Sequence, residues 1–197
     1  RGLPPKSKGD YAFISHMVEV AKPQSGRVAV VVPHGVLFRG GAEGRIRQRL
    51  IDDNLLDAVI GLPGNLFPTT SIPVAILLFD RARERGGERE AEDQVLFVDA
   101  SNQFSPAKTK NQMEESHIQH IVAAVRARQG VDKFASLVSR ATIAENDYNL
   151  NIPRYVDTYE EEAQIDLVET EREIDRLEAE LAAVRMKMKQ HLKELGL

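Results

Sequence analysis

Three groups of residues carry side chains and spacings that could do chemistry. The first is the turn Gly40–Gly44 (GGAEG), with Arg39 before it and Arg45, Arg47 and Arg49 after it. Free N–H groups at a helix start, beside guanidinium groups, suit an anion such as a phosphate. The turn matches neither the P-loop nor the GxGxxG pattern, so a nucleotide is the weaker ligand and a DNA backbone the stronger one. The competing reading is a solvated helix face. The second candidate is Phe67, a large aromatic among turn formers in GLPGNLFPTTSIP. It can be a wall for a flat ligand, or a plug for the end of the core, and sequence alone does not separate the two. The third group is the histidines. His34 follows Pro33 with no nucleophile or orienting carboxylate near it, which favours a structural or capping role. His117 and His120 share a helix face but have no third ligand in pattern, which argues against a metal. Asp99 suits a loop cap, and no Ser-His-Asp or paired-carboxylate arrangement stands out.

The elements that position these residues follow from apolar patterning. Leu55–Leu62 (LLDAVIGL) and Pro73–Phe79 (PVAILLF) are short, rich in Val, Ile and Leu, and read as buried strands. The loop between them, with Pro63, Gly64, Pro68 and Pro73, forbids a helix. Loops between buried strands are where a rigid sheet presents a surface. A third apolar run over 26–38 precedes them, and Gly41–Asn54 has helix length and the buried pair Ile46 and Leu50. Strand, helix, strand is a βαβ unit, so the fold class is α/β. Asp10 is expected to cap a helix over Tyr11–Ala21, burying Phe13, Ile14, Met17, Val18 and Ala21. Asp80–Gln94 reads as a solvated, charged connection with Gly86-Gly87 at its tip. Val95–Ala100 is a further strand and His117–Gln129 an amphipathic helix. Phe134–Ala144 holds short elements, and Asn146–Thr158 is expected to be extended around Pro153.

Tyr159–Leu197 is expected to be one long helix, free of Gly and Pro until Gly196. Leu167, Ile174, Leu181, Met188 and Leu195 recur every seven residues, with Leu177 and Val184 between them. One helix cannot bury its own stripe, so the pattern calls for a partner helix or for the chain's own globular part. The stretch Glu160–Glu180 is acidic, while Arg185, Lys187, Lys189 and Lys193 make the far end basic. An antiparallel neighbour of like sequence, or another helix of suitable charge, would match it.

Composition excludes several classes. Cysteine is absent, which removes thiolate nucleophiles, disulfides and cysteine-ligated metals and fits the cytoplasm. No apolar run nears the roughly 20 residues that cross a bilayer. The net charge of −4 argues against a chain that coats nucleic acid unaided.

The succession YAFISHMV, GRVAVVVPHGVLFRGGAEGRIRQRLI, LLDAVIGLPGNLFPTTSIPVAILLF, VLFVDAS and IAENDYNLNIPRYV resembles the modification (M) subunit of type I restriction–modification systems, in order from about Gly2 to Asp157. Those subunits are S-adenosylmethionine-dependent adenine-N6 DNA methyltransferases. The resemblance implies the C-terminal half of a Rossmann-like methyltransferase sheet followed by a long helix. It places residues 1–100 in the catalytic domain, 101–158 in a mixed extension and 159–197 in the coiled-coil-like helix. It implies that the strand at Val74–Phe79 is inserted antiparallel between those at Gly26–Val32 and Ala58–Leu62. The family's acidic glycine-rich cofactor motif and its Asn-Pro-Pro-Phe tetrapeptide do not occur here. The chain, beginning at Arg1, is therefore expected to be the C-terminal part of such a subunit, without catalytic residues or bound cofactor of its own. Phe67 becomes a candidate wall of the target-base pocket, and Arg39, Arg45, Arg47 and Arg49 candidate DNA-backbone contacts. Leu167, Ile174, Leu177, Leu181, Val184 and Met188 become the expected docking stripe for the specificity subunit, and through it for the restriction subunit. Self-association is expected where half of a sheet leaves an edge bare.

Overall fold

The computed structural model describes residues 1–158 and 167–195, and the chain divides into two compact units, Arg1–Tyr159 and Glu160–Leu197. In the first unit, the strands among the described residues are β1 (Arg27–Pro33), β2 (Leu56–Gly61), β3 (Val74–Asp80), β4 (Gln94–Asp99) and β5 (Ala135–Ser139). They form one sheet in the order β1-β3-β2-β4-β5. Strand β3 is antiparallel to both β1 and β2, which makes those two parallel, and β2 is parallel to β4. This is the inserted antiparallel strand that the resemblance implies. Strand β2 lies mid-sheet with every residue but Asp57 buried, which is why its sequence runs apolar without alternation. At the margin, β1 alternates: Val28, Val30 and Val32 turn inward, while Ala29 is exposed and Val31 is 52% exposed.

Two apolar clusters cover the two faces. One joins Val59, Leu77 and Phe97 to helices α1 (Asp10–Val20), α2 (Gly35–Phe38) and α3 (Gly41–Asp52) and to α5 (Arg140–Glu145). The other joins Ile60, Leu96 and Val98 to α4 (Glu115–Ala127). Residues 101–158 thus complete the sheet: they supply β5, paired antiparallel to β4, and a helix for each face.

Several local expectations change. Gly9 holds the N-cap position of α1, and Asp10 lies in its first turn, paired with Arg39. The buried face of α1 is Tyr11, Ile14 and Val18, whereas Phe13 is 67% exposed. Tyr11 sets that rotation, since its hydroxyl donates to the Val36 carbonyl at 2.9 Å, and burial pushes its pKa up to about 12. The stretch 146–158 is not extended: Ile152–Arg154 is a 3-10 turn, and Leu150, Ile152 and Val156 are buried in the first cluster. Proline at the start of such a turn needs no N–H, so Pro153 permits it. In the second unit, α6 runs over Leu167–Glu194; the expected helix also spans 159–166 and 196–197, which lie outside the described residues. Among the described residues no helix is long and apolar enough to cross a membrane.

Candidate functional site

Because β1, β2 and β4 are parallel, their carboxyl ends share one edge of the sheet, the edge where open α/β sheets bind ligands. Three loops meet there: His34 and α2 after β1, residues 62–73 after β2, and residues 100–114 after β4. The β2–β3 loop carries Phe67. Its neighbour Leu66 packs on the second cluster, while Phe67 itself is 40% exposed and belongs to neither cluster. Leu66 thus meets the core beside a Phe67 that is partly open to solvent. The turn behind it is closed by Thr70 N–H donating to the Phe67 carbonyl at 3.3 Å, and by Asn65 N–H donating to Ser71 at 3.0 Å.

A pair of residues that the sequence offered only as loop grips this turn from the neighbouring connection. Lys110 Nζ donates to Asn65 Oδ1 at 2.8 Å and to the Thr70 carbonyl at 3.2 Å. Asn111 donates through its carboxamide to Gly64 O at 2.9 Å and through its backbone N–H to Asn65 O at 3.0 Å. Their only sequence signal is two multi-donor side chains in a loop that follows a strand. That β4 lies beside β2 is a matter of topology, and it cannot be read locally.

The arginines separate into two kinds. Arg47 is buried, donating Nε to the Tyr148 carbonyl at 2.7 Å and Nη1 to Arg39 O at 2.8 Å and Val36 O at 3.2 Å. Arg39 is paired with Asp10 and with Glu43. Arg45 and Arg49, one helical turn apart, lie exposed on α3. The glycine-rich turn before α3 does not suit an anion or the nucleoside cofactor S-adenosylmethionine. The first turn of α3 already holds the buried Glu43, whose carboxylate meets Arg39 Nε at 3.0 Å. An incoming phosphate or carboxylate would meet a charge of its own sign.

The histidines hold the local frame. His34 Nε2 lies 3.3 Å from the Val74 carbonyl. His117 Nδ1 accepts the Glu114 N–H at 3.1 Å, closing a capping box on α4. His120 stacks on Phe134 with centroids 4.2 Å apart. Asp99 accepts the Ser101 N–H at 3.0 Å, a loop cap as its position suggests.

At the opposite edge, the connection over 81–93 is not the solvated stretch its composition suggests. The register of β2 shifts between Leu56 and Ala58, a bulge at Asp57. Asp57 Oδ1 accepts from Arg83 at 3.1 Å, Arg89 at 3.0 Å and Arg128 at 2.7 Å. Arg83 is 0% exposed, and burial lowers its pKa. Hydrogen bonds from Arg89 hold the Glu92 carboxyl below the usual range.

A family model described as N-6 DNA Methylase matches residues 1–164. The chain belongs to that family. It is 35% identical over 98% of its length to the methylase subunit of the type I restriction enzyme MpnII of Mycoplasma pneumoniae, covering 34% of that protein. It is 33% identical over 84% of its length to the MjaVIII methylase subunit of Methanocaldococcus jannaschii, covering 28% of it. A crystal structure of a type I restriction-modification methyltransferase subunit from Streptococcus thermophilus matches with a TM-score of 0.73 and 48% identity, over 80% of this chain and 32% of that one. The chain thus spans about a third of the length of these relatives.

In the second unit, α6 presents Ile174, Leu177, Leu181, Val184 and Met188, each about half exposed, along one stripe. The side chain of Leu167 lies outside the described residues.

Proposed function

We propose that this methylase chain is the C-terminal portion of a type I restriction–modification M subunit that transfers a methyl group to adenine N6 in DNA. Such a target must leave the duplex stack before it can react. Phe67 then serves as a wall against which the extruded base stacks, a role every base can satisfy through its π-face. The observation that carries this reading is the partition of adjacent residues: Leu66 packs, partly buried, on the second cluster, and Phe67 is 40% exposed at the carboxyl edge of the sheet. Arg45 and Arg49 supply backbone counter-charges from α3, since Arg47 and Arg39 are engaged within the chain. The S-adenosylmethionine site is assigned to the remainder of the subunit, because the family's acidic glycine-rich motif does not occur in this chain and a buried carboxylate, Glu43, lies within the glycine-rich turn Gly40–Gly44.

The test uses the full-length subunit assembled with its specificity subunit. Phe67→Ala should weaken binding to DNA containing an extruded base, by about 1–3 kcal/mol for a lost stacking platform. Unchanged affinity together with an unchanged methylation rate would sink the reading. Arg45→Ala and Arg49→Ala should each lower the salt slope of DNA binding by about one phosphate contact.

A second role, assembly, is supported by the exposed stripe of α6 and its acidic-to-basic charge gradient. The relatives are named as subunits of restriction enzymes, and α6 is proposed to dock the specificity subunit and through it the restriction subunit. Without that partner the stripe can pair with an antiparallel copy of itself. Changing both Ile174 and Leu181 to Asp should abolish co-purification with the specificity subunit while leaving the sheet folded. Survival of the complex would rule α6 out as the docking element.

A further inference from the structure

The β2–β3 connection is long for a hairpin. Its twelve residues, 62–73, exceed the two to five that usually join antiparallel neighbours, so an unsupported tip would sample many shapes. Its first limb is anchored to the core by buried Leu62 and partly buried Leu66, and four hydrogen bonds reach the tip from residues 110 and 111. Their placement is specific. Asn65 and Thr70 lie on opposite sides of Phe67 in the chain, and one ammonium group, Lys110 Nζ, joins them. Lysine seldom gives up water without acceptors in place; here the half-buried side chain has two. Asn65 also adopts φ +58°, a left-handed conformation that asparagine tolerates better than most residues, and its side chain is what receives Lys110.

We propose that Lys110 and Asn111 are positioning residues for Phe67, a clamp that holds the two limbs of its loop together so that the aromatic ring is presented in one orientation. The proposal rests on the reading of Phe67 as a base-stacking wall. The clamp touches no substrate; it acts by removing loop shapes in which the ring is not available. The loop-closing N–H groups of Asn65 and Thr70 report on it directly.

The experiment has two arms on the full-length subunit. In the first, hydrogen exchange of the Asn65 and Thr70 amides is compared in wild type, Lys110→Met, Asn111→Ala and the conservative Lys110→Arg. Loss of the clamp's donors should speed exchange at both amides by about tenfold, and Lys110→Arg should restore part of the protection. In the second arm, the subunit assembled with its specificity subunit meets duplex DNA carrying 2-aminopurine at the target position. Extrusion fluorescence and methylation kcat and KM are then measured. Lys110→Met should reduce the extrusion signal and kcat with little change in KM, and should add nothing in the presence of Phe67→Ala. Such non-additivity is expected of groups acting through one another. Unchanged exchange in both Lys110→Met and Asn111→Ala would overturn the clamp. Faster exchange with losses that simply add to those of Phe67→Ala would overturn its link to Phe67. If Phe67→Ala alone leaves extrusion and kcat untouched, the base-wall reading fails beneath it, and the exchange arm still decides whether the clamp exists.

Discussion

The two edges of the sheet are built from opposite materials. At the carboxyl edge, an apolar-rich loop leaves an aromatic residue in solvent, held by uncharged acceptors and one lysine. At the amino edge, a stretch crowded with charges drives a whole arginine side chain into the interior. Burial therefore follows available partners more closely than it follows residue polarity. Arg83 is buried because Asp57, Asn54 Oδ1 and the Glu92 carbonyl receive its guanidinium. Phe67 is 40% exposed beside Leu66, which packs partly buried on the second cluster. The comparison teaches that the amino edge engages its charges in contacts within the chain, whereas the carboxyl edge leaves an aromatic ring partly open to solvent.

The strongest way to break that comparison is Asp57→Ala. It leaves three arginines without their shared acceptor, one of them wholly buried, and should cost about 3–5 kcal/mol in urea unfolding. A loss under about 1 kcal/mol would mean that the network behaves as surface ion pairs do. Next is Gly87→Ala, which places a Cβ 2.2 Å from the Ala82 carbonyl oxygen and should cost about 1–3 kcal/mol if the charged connection is as compact as described. Indifference to that methyl group would show the connection to be loose.

A smaller effect is expected from pH. The folded-state pKa of Glu92 is depressed by its hydrogen bonds from Arg89, so its contribution is present above the unfolded value and lost as pH falls through the folded one. Stability should drop below the ordinary carboxylate range, and Glu92→Gln should flatten that acid limb in urea titrations run between acidic and neutral pH. An unaltered limb would remove Glu92 from the network's energetics. The smallest effect belongs to the other edge: Phe67→Ala should change stability by no more than about 0.5 kcal/mol, because the ring is outside both cores. A large thermal shift would move Phe67 into the structural class and end the contrast.

Much of the fold was legible in the chain itself. The runs at 55–62 and 73–79 are apolar and β-branched enough to be strands, the proline-rich loop between them forbids a helix, and the antiparallel placement of the second run came from the family resemblance. The heptad stripe from Ile174 to Met188 identifies α6 from periodicity, because a helix repeats its face whatever surrounds it. Strand β5 was not legible: ASLVS is short and weakly alternating, and only pairing with β4 makes it a strand. Asp10 and Phe13 were misplaced by one helical position or face, since the rotation of α1 is set by a hydrogen bond from Tyr11 to a carbonyl 25 residues away.

By itself, then, the sequence determined the alternation of strands and helices, the hairpin bearing Phe67 and the family to which these belong. Each of those depends on neighbours within a few residues or on a pattern carried along one element. The tertiary structure alone decided that Arg47 and Arg83 lie inside, that Glu43 is buried in the first turn of α3, and that Lys110 and Asn111 grip the loop of Phe67. Most of those outcomes depend on groups that the tertiary fold brings face to face across long stretches of chain, as Arg83 meets Asp57, Lys110 meets Asn65 and Arg47 meets Tyr148, whereas the Arg39–Glu43 pair is local. A charged side chain is buried or exposed according to the acceptors it finds there, and no local pattern records them.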